Sequence, residues 1–447
     1  MFEPLYTSEE MRAAEERYPR YPDSIPELMN RAGGAVATAV SRHYPGARVV
    51  AVCGGGSNGG DGRIAAGFLG GEVVEAGKDV PRDTDVIVDA LFGTGFRDEP
   101  RPEAARQIEQ MNASGAHVVS VDVPSGVDAS TGEVASTAVR ADLTVTFHGL
   151  KVGLVLSPGR SHAGEVDLVD IGLEWLETQH RLVTERILEL VPSKAEADNK
   201  YSAGSVLVVG GAPGMSGAAA LASRAAFRAD AGYVAVAAPK DSLPVLETLV
   251  VEAVKRPLED VFDAAGRAGA LALGPGLGRS PEKKELVRRL LQESEVPAVV
   301  DADALHELQP FERDAATVLT PHSGELGRLI GEESSWVDAH RLEALRRAVE
   351  RFKCVVLLKG ADTLIGAPAK GVLVHGTNTT PALATAGTGD VLTGITAAFL
   401  AKGMEAQTAA AAASVAHGLA ALRSGWTRGM VAGDVIEALP DAFDDLD

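Results

Sequence analysis

The sequence predicts an α/β protein made of two doubly wound domains, and three observations carry that prediction. Short Val/Ile/Ala-rich runs alternate with longer helical stretches along the whole chain. The alternation pauses once, between Leu173 and Lys200. The 447 residues also exceed what one ordinary core holds. In the first half, strands are expected at 48–53, 85–90, 117–122, 142–147 and 165–171, separated by helices at 27–43, 62–69 and 102–112. The strand runs are continuously apolar, the pattern of parallel strands covered on both faces. The segment 173–200 is polar, carries Pro192, and offers one short helix at 185–190 and no strong strand. The boundary is set there, giving domains 1–190 and 191–447.

The second half restarts the pattern. Strands are expected at 205–210, 233–238, 270–273, 298–301, 317–319 and 355–359. Helices are expected at 215–231, 281–293, 338–352, 389–402 and 405–424.

Composition narrows the partners. A formal charge of −20 argues against nucleic acid or an anionic membrane as the main partner. No run approaches the ~20 apolar residues of a membrane span. Cys53 and Cys354 give neither a disulfide framework nor a zinc spacing, which fits a reducing cytoplasm. Residues 1–12 carry Glu3, Glu9 and Glu10 without an apolar core and do not read as a signal peptide.

The first candidate site is the turn Val52-Cys-Gly-Gly-Gly-Ser57-Asn58-Gly59-Gly60-Asp61-Gly62, which follows a strand and opens a helix. Its glycines let backbone approach a ligand, and a helix N-terminus offers free N–H groups to phosphate. Asp61 inside the turn departs from the usual dinucleotide fingerprint; a tight turn with a capping Asp fits this segment equally. Two further strands end in Val88-Asp89-Ala-Leu-Phe-Gly93-Thr94-Gly95-Phe96 and in Val121-Asp122-Val-Pro-Ser125-Gly126. Ligands of open α/β sheets sit beyond the carboxyl ends of strands, so Asn58, Asp89, Asp122 and Ser125 can share one crevice. Hard oxygen ligands suit a small cation, and a spare carboxylate suits proton transfer.

In this order the three motifs resemble the epimerase domain of the NAD(P)H-hydrate repair enzymes, over roughly residues 1–172. The resemblance implies a Rossmann-like fold and a potassium ion at Asn58, Asp89 and Ser125. It implies substrate contacts from Ser57, Asn58, Gly59, Gly60 and Asp61, from Gly93, Thr94, Gly95, Phe96, Arg97, Asp98 and Glu99, and from Asp122. Lys151 matches a family lysine, with a solvated surface lysine as the alternative. The family usually has a second Asn where Ser57 stands, and the stretch 70–85 is short enough to have lost a strand or helix. Asp122 is the carboxylate expected to handle the proton of the hydrate's C6 hydroxyl, a role worth ~10²–10⁴ in rate.

The second candidate site is Ala386-Gly387-Thr388-Gly389-Asp390, at the mouth of an apolar helix. Its amides suit a transferring phosphoryl group, and Asp390 can accept a hydroxyl proton. An Asp in a first helical turn, favoured by the helix dipole, fits the segment alone equally well. With Leu273-Gly-Pro-Gly276-Leu-Gly278, Asp301-Ala-Asp303, Thr320-Pro-His322-Ser-Gly-Glu325 and Lys359-Gly360-Ala361-Asp362-Thr363, it resembles the ribokinase-like ADP/ATP-dependent NAD(P)H-hydrate dehydratases, from about Lys200 to Leu439. The resemblance implies nucleotide contacts at Lys359, Gly360, Ala361, Asp362, Thr363 and Gly389, with magnesium accompanying ADP or ATP. It implies hydrated cofactor at Ala218, Gly276, His322 and Asp390, with Asp390 as catalytic base. His322 reads alternatively as a satisfied loop residue. Departures are Pro381-Ala-Leu where relatives often have glycine, and a variant opening at 198–204.

The expected function is therefore cofactor repair. One domain epimerises the R and S hydrates of NADH and NADPH. The other dehydrates the S form with ADP, or ATP, giving AMP, or ADP, and phosphate. A homo-oligomer is expected by analogy with relatives. The competing readings are a small-molecule kinase fused to a nucleotide-binding domain, and an N-terminal half that only senses cofactor.

Overall fold

The computed structural model describes residues 1–197 and 199–444; Asp198, at the head of the segment 198–204, and positions 445–447 lie outside the described residues. The chain packs as two compact units. One comprises Pro4–Arg181 with Asp338–His340. The other comprises Met1–Glu3, Leu182–Val337 and the chain from Arg341 on. The packing break at Arg181/Leu182 precedes position 190 because Ile187 and Leu188, on the 3-10 helix Glu185–Leu190, are buried in the C-terminal core.

The N-terminal unit is a wholly parallel six-stranded sheet. Its spatial order is Glu72–Glu75, Val49–Cys53, Val86–Ala90, His117–Val121, Leu143–Phe147, Glu165–Val169. The expected strands are all present. Val49–Cys53 and Val86–Ala90 are buried at every position, as a sheet covered on both faces requires. The edge strand Glu72–Glu75 was not expected, because exposed Glu72, Val73 and Glu75 leave only Val74 buried and erase the apolar run. No helix stands between it and Val86, so the short 70–85 stretch has kept its strand and lost its crossover helix. The chain leaves Val49–Cys53 for one side and returns as Val86–Ala90 on the other. That reversal opens a crevice at the carboxyl ends of these two strands.

The C-terminal unit repeats the logic on an eleven-stranded sheet. Its parallel part runs Val355–Leu358, Thr317–Leu319, Ala298–Val300, Ala270–Leu273, Ser205–Val209, Tyr233–Ala238, Val254–Pro257. The direction of winding reverses between Ser205–Val209 and Ala270–Leu273. Thr363–Gly366 and Val372–His375 continue it antiparallel. These two strands, Val254–Pro257 and His180–Val183 are additions to the expected set. His180–Val183 falls in 173–200, where no strong strand was expected: it is only four residues long and alternates a buried His180 with an exposed Arg181, too brief a pattern to read. The expected helix at 338–352 is two helices, Ser334–Ala339 and Arg341–Phe352. Helices Thr388–Ala401 and Ala406–Arg423 are buried along nearly their whole lengths, which explains their apolar, alanine-rich composition.

Candidate active sites

In the N-terminal unit a cleft of about 1210 Å³ opens over the crevice, room enough for a dinucleotide-sized ligand. Gly55–Asn58 and Asp61 line it from one side, Phe92–Arg101 from another, and Asp122 from the floor. Helix Ser57–Leu69 starts at Gly56 with no side chain capping it, so its first amides face the cleft uncapped. Gly59 is required here: a Cβ would stand 2.0 Å from the Gly54 carbonyl oxygen. Ser57 is exposed, and Asp61 is buried in the fifth position of the helix rather than capping it. The loop carrying Gly93–Glu99 is tied back by Ser8, whose hydroxyl donates to the Thr94 carbonyl at 2.5 Å. Arg97, Asp98 and Glu99 are exposed on the rim.

Asp122 sits at φ +67 immediately after strand His117–Val121. Its carboxylate accepts from Thr146 at 3.0 Å and lies 2.5 Å from Lys151 Nζ. Lys151 is fully buried; it donates to the Phe147 carbonyl at 2.8 Å and to Thr146 at 3.0 Å. The surface reading of Lys151 is thereby corrected. A buried ammonium is held only where a carboxylate and further acceptors surround it. Glu15, on helix Ser8–Glu16, also lines the cleft; burial and then the Asp122 charge raise its pKa, with Lys151 opposing. The sequence reading passed over Glu15. Its signal was phase: it follows Met11 by four positions on the face that buries Met11 and Ala14.

Asn58, Asp89 and Ser125 converge below the turn. Asp89 is fully buried and accepts from Ser125 N–H at 2.9 Å, Ser125 Oγ at 2.6 Å and Ser120 Oγ at 2.8 Å. Asn58 donates to the Phe92 carbonyl at 2.7 Å, and Phe92 N–H donates to Ser125 Oγ at 2.8 Å. Burial raises the Asp89 pKa against these hydrogen bonds.

In the C-terminal unit, helix Thr388–Ala401 opens on Gly387, whose φ of 92 favours glycine, and no side chain caps it. Lys359 Nζ would stand 3.4 Å from a Cβ placed on Gly389, so a cation flanks the helix mouth. It donates to Asp301 Oδ1 at 2.8 Å and lies 3.9 Å from Glu325. Asp390 faces the same group. Burial, and then the Asp301 charge, push its pKa up to about 7, with Lys359 opposing. Asp390 is therefore poised as a proton acceptor near neutral pH.

The remaining expected positions form two groups, Gly276 with Ala218 and His322 with the turn 359–363. A Cβ on Gly276 would stand 3.2 Å from Ala218 Cβ, so these two share one wall. His322 is exposed and caps helix Ser323–Ile330, its Nδ1 accepting from Gly324 N–H at 3.0 Å; Nε2 lies 3.5 Å from Glu325. Lys359 N–H donates to the Pro321 carbonyl at 2.9 Å, bringing the turn 359–363 beside His322. Gly360 and Ala361 are exposed, and Thr363 is buried in the strand Thr363–Gly366. Asp362 is buried against Arg341 at 3.1 Å, so its side chain shapes the turn from within. Asp301 and Glu325, quoted only as parts of motifs, emerge as the charges that fix Lys359.

Comparison with known proteins follows the same two-part division. Residues 206–440 match the family model for NAD(P)H-hydrate dehydratase, and 26–77 with 69–153 match that for the YjeF-related protein N-terminus. The bifunctional NAD(P)H-hydrate repair enzyme of Moorella thermoacetica is 35% identical over 94% of this chain and 92% of its own. That of Salinibacter ruber is 35% identical over 98% and 95%. The chain belongs to the bifunctional NAD(P)H-hydrate repair enzymes. The repair enzyme of Escherichia coli K12 is 33% identical over 92% of this chain and 88% of its own. Among solved structures, the ADP/ATP-dependent NAD(P)H-hydrate dehydratase of Bacillus subtilis, co-crystallised with ATP and Mg2+, superposes with a TM-score of 0.55 at 26% identity. It covers 59% of this chain and 98% of its own. As a repair enzyme the chain thus joins an epimerase domain to a ribokinase-like dehydratase domain.

Proposed function

We propose that the two clefts divide the repair as follows. The N-terminal cleft interconverts the R and S hydrates of NADH and NADPH, with Asp122 handling the proton of the C6 hydroxyl. The turn 57–61, the loop 93–99 and Asp122 hold the substrate. The C-terminal mouth transfers a phosphoryl group from ADP, or ATP, to the C6 hydroxyl of the S hydrate. Asp390 takes the hydroxyl proton, and loss of phosphate restores the nicotinamide. Hydroxide is a poor leaving group and phosphate a good one, which is why a nucleotide is consumed. The observation that carries this reading is Asp390, poised near neutrality beside Lys359 at an uncapped helix mouth.

The turn 359–363 and Gly389 face the nucleotide, with Asp362 acting through the turn's backbone. Ala218, Gly276 and His322 face the hydrated cofactor, His322 through Nε2. Mg2+ accompanies ATP in crystals of the Bacillus relative. Among the described residues no three carboxylates, histidines or cysteines group as a metal cage. Bound with the nucleotide, such an ion would sit on the phosphates and water and neutralise phosphate charge. Potassium fits the first cleft on the chemistry of its donors. Asp89 is a buried carboxylate hydrogen-bonded only through hydroxyl and amide groups, beside the oxygens of Asn58, Phe92 and Ser125.

A purified sample given mixed hydrate epimers and ADP should recover NADH absorbance from the whole mixture. Recovery from half would leave the dehydratase alone, and recovery with ATP only would replace ADP as donor. Light scattering on the same sample tests the expected homo-oligomer. No described helix is long and apolar enough to cross a membrane.

A further inference from the structure

The proposed epimerase chemistry needs two proton-handling groups, because a hydroxyl leaves one face of C6 and returns on the other. Asp122 is one. Its carboxylate is already engaged by Lys151 and Thr146. Asp61 is the second carboxylate of the same cleft. It is 8% exposed, lines the cleft, and its Oδ1 has no hydrogen-bond partner. It neither caps its helix nor pairs with a cation.

The charges that face Asp61 share its sign. Asp122 approaches from the end of strand His117–Val121 and Glu15 from helix Ser8–Glu16; helix Ile25–His43 offers the apolar Met29 beside Gly60. Lys151 is committed to Asp122, and Arg12 acts on Glu15. A carboxyl so placed keeps its proton: burial first, then Asp122 and Glu15, push Asp61 up to about 8.

We infer that Asp61 is the general acid of epimerisation and Asp122 the general base. The assignment rests on the epimerase reading above. The Asp61 proton passes to the C6 oxygen. The C6–O bond breaks with its electron pair leaving on water, and the ring nitrogen's lone pair forms the C=N bond of an iminium. Water then adds to the opposite face of C6. It gives a proton to Asp122 as the new C–O bond forms, and the C=N pair returns to nitrogen. Asp122 releases that proton and Asp61 regains one from solvent, so water and protons balance and only configuration changes.

The test is the rate of R-to-S interconversion by the full chain, followed by magnetic resonance from pH 7 upward. In the wild type kcat should fall in a one-proton step centred near pH 8, as Asp61 ionises. Asp61→Asn should lower kcat by ~10²–10⁴ with KM little changed, and the step should vanish from the residual rate. Glu15→Gln removes a like charge and should move the step to lower pH. The unfolding midpoint of the N-terminal unit in the same samples reports that the unit carrying the substitution is folded. A flat wild-type profile, a step that survives in Asp61→Asn, or full activity in that variant would overturn the assignment. A wild type that does not mix the epimers at all overturns the epimerase reading itself, and the assignment with it.

Discussion

Lys359 Nζ donates to one oxygen of Asp301 at 2.8 Å, and Thr393 Oγ1 donates to the other at 2.7 Å. Asp301 is 1% exposed and is thus locked between the turn 359–363 and helix Thr388–Ala401. Its charge holds the ammonium against Gly389, where phosphate is proposed to bind. Replacing Asp301 by Asn should therefore loosen Lys359 and raise the KM for ADP while lowering kcat. Steady-state kinetics of S-hydrate dehydration checks this, and unchanged constants would remove Asp301 from the site.

Asp301 also sets a pH dependence, through Asp390. The proposed base must be ionised to act, and Asp390 is held up to about 7 by burial and by Asp301. Dehydration should therefore rise with pH through about 7 and level off above it. In Asp301→Asn the like charge is gone, so the Asp390 pKa falls and the acid limb moves to lower pH. Asp390→Asn should lower kcat by ~10²–10⁴ across the range while nucleotide still binds, which calorimetry can check.

The potassium assignment predicts a stability effect separable from rate. A cation that binds only the folded chain stabilises it by about 2.7 kcal/mol at a hundredfold excess over Kd. Potassium chloride should therefore raise the unfolding midpoint of the N-terminal unit relative to tetramethylammonium chloride at equal ionic strength. Ser125→Ala removes one oxygen and one of the hydrogen bonds to Asp89. It should shrink that increment and slow epimerisation together. An equal midpoint in both salts would leave Asp89 a buried acid without an ion.

How much of this could be read from the sequence depended on whether the partners were local. Val49–Cys53 and Val86–Ala90 declared themselves because every residue is buried and apolar. Glu72–Glu75 did not, because an edge strand with three exposed positions carries no period that distinguishes it from a loop. The glycine turns were legible because a close backbone approach admits few other residues. Lys151 was ambiguous because its acceptors, Thr146 and Phe147 in particular, look like ordinary strand residues until the sheet brings Asp122 beside them. Glu15 and Asp61 acquire their meaning only in the fold, where both face the Asp122 charge and Asp61 faces that of Glu15 as well. Asp362 stood in a motif read as nucleotide-binding, and its partner Arg341 was one side chain of the expected helix 338–352 with nothing local to single it out.

That last pair gives a prediction in which stability and function come apart. Arg341 Nε lies 3.1 Å from Asp362 Oδ2, and Arg341 Nη2 also donates to the Asp362 carbonyl at 2.7 Å, both residues being buried. Removing one partner of such a pair strands a buried charge and costs about 3–5 kcal/mol, whereas replacing both with apolar groups of similar volume is often neutral. Arg341→Ala should thus lower the unfolding midpoint of the C-terminal unit, and Arg341→Met with Asp362→Leu should restore much of it. The arginine also ties the turn's carbonyls, and the double variant lacks that tie. Its KM for ADP should therefore stay high even where stability has returned. If KM recovered along with stability, the pair would serve only the fold, and the turn's grip on nucleotide would have to come from elsewhere in 359–363.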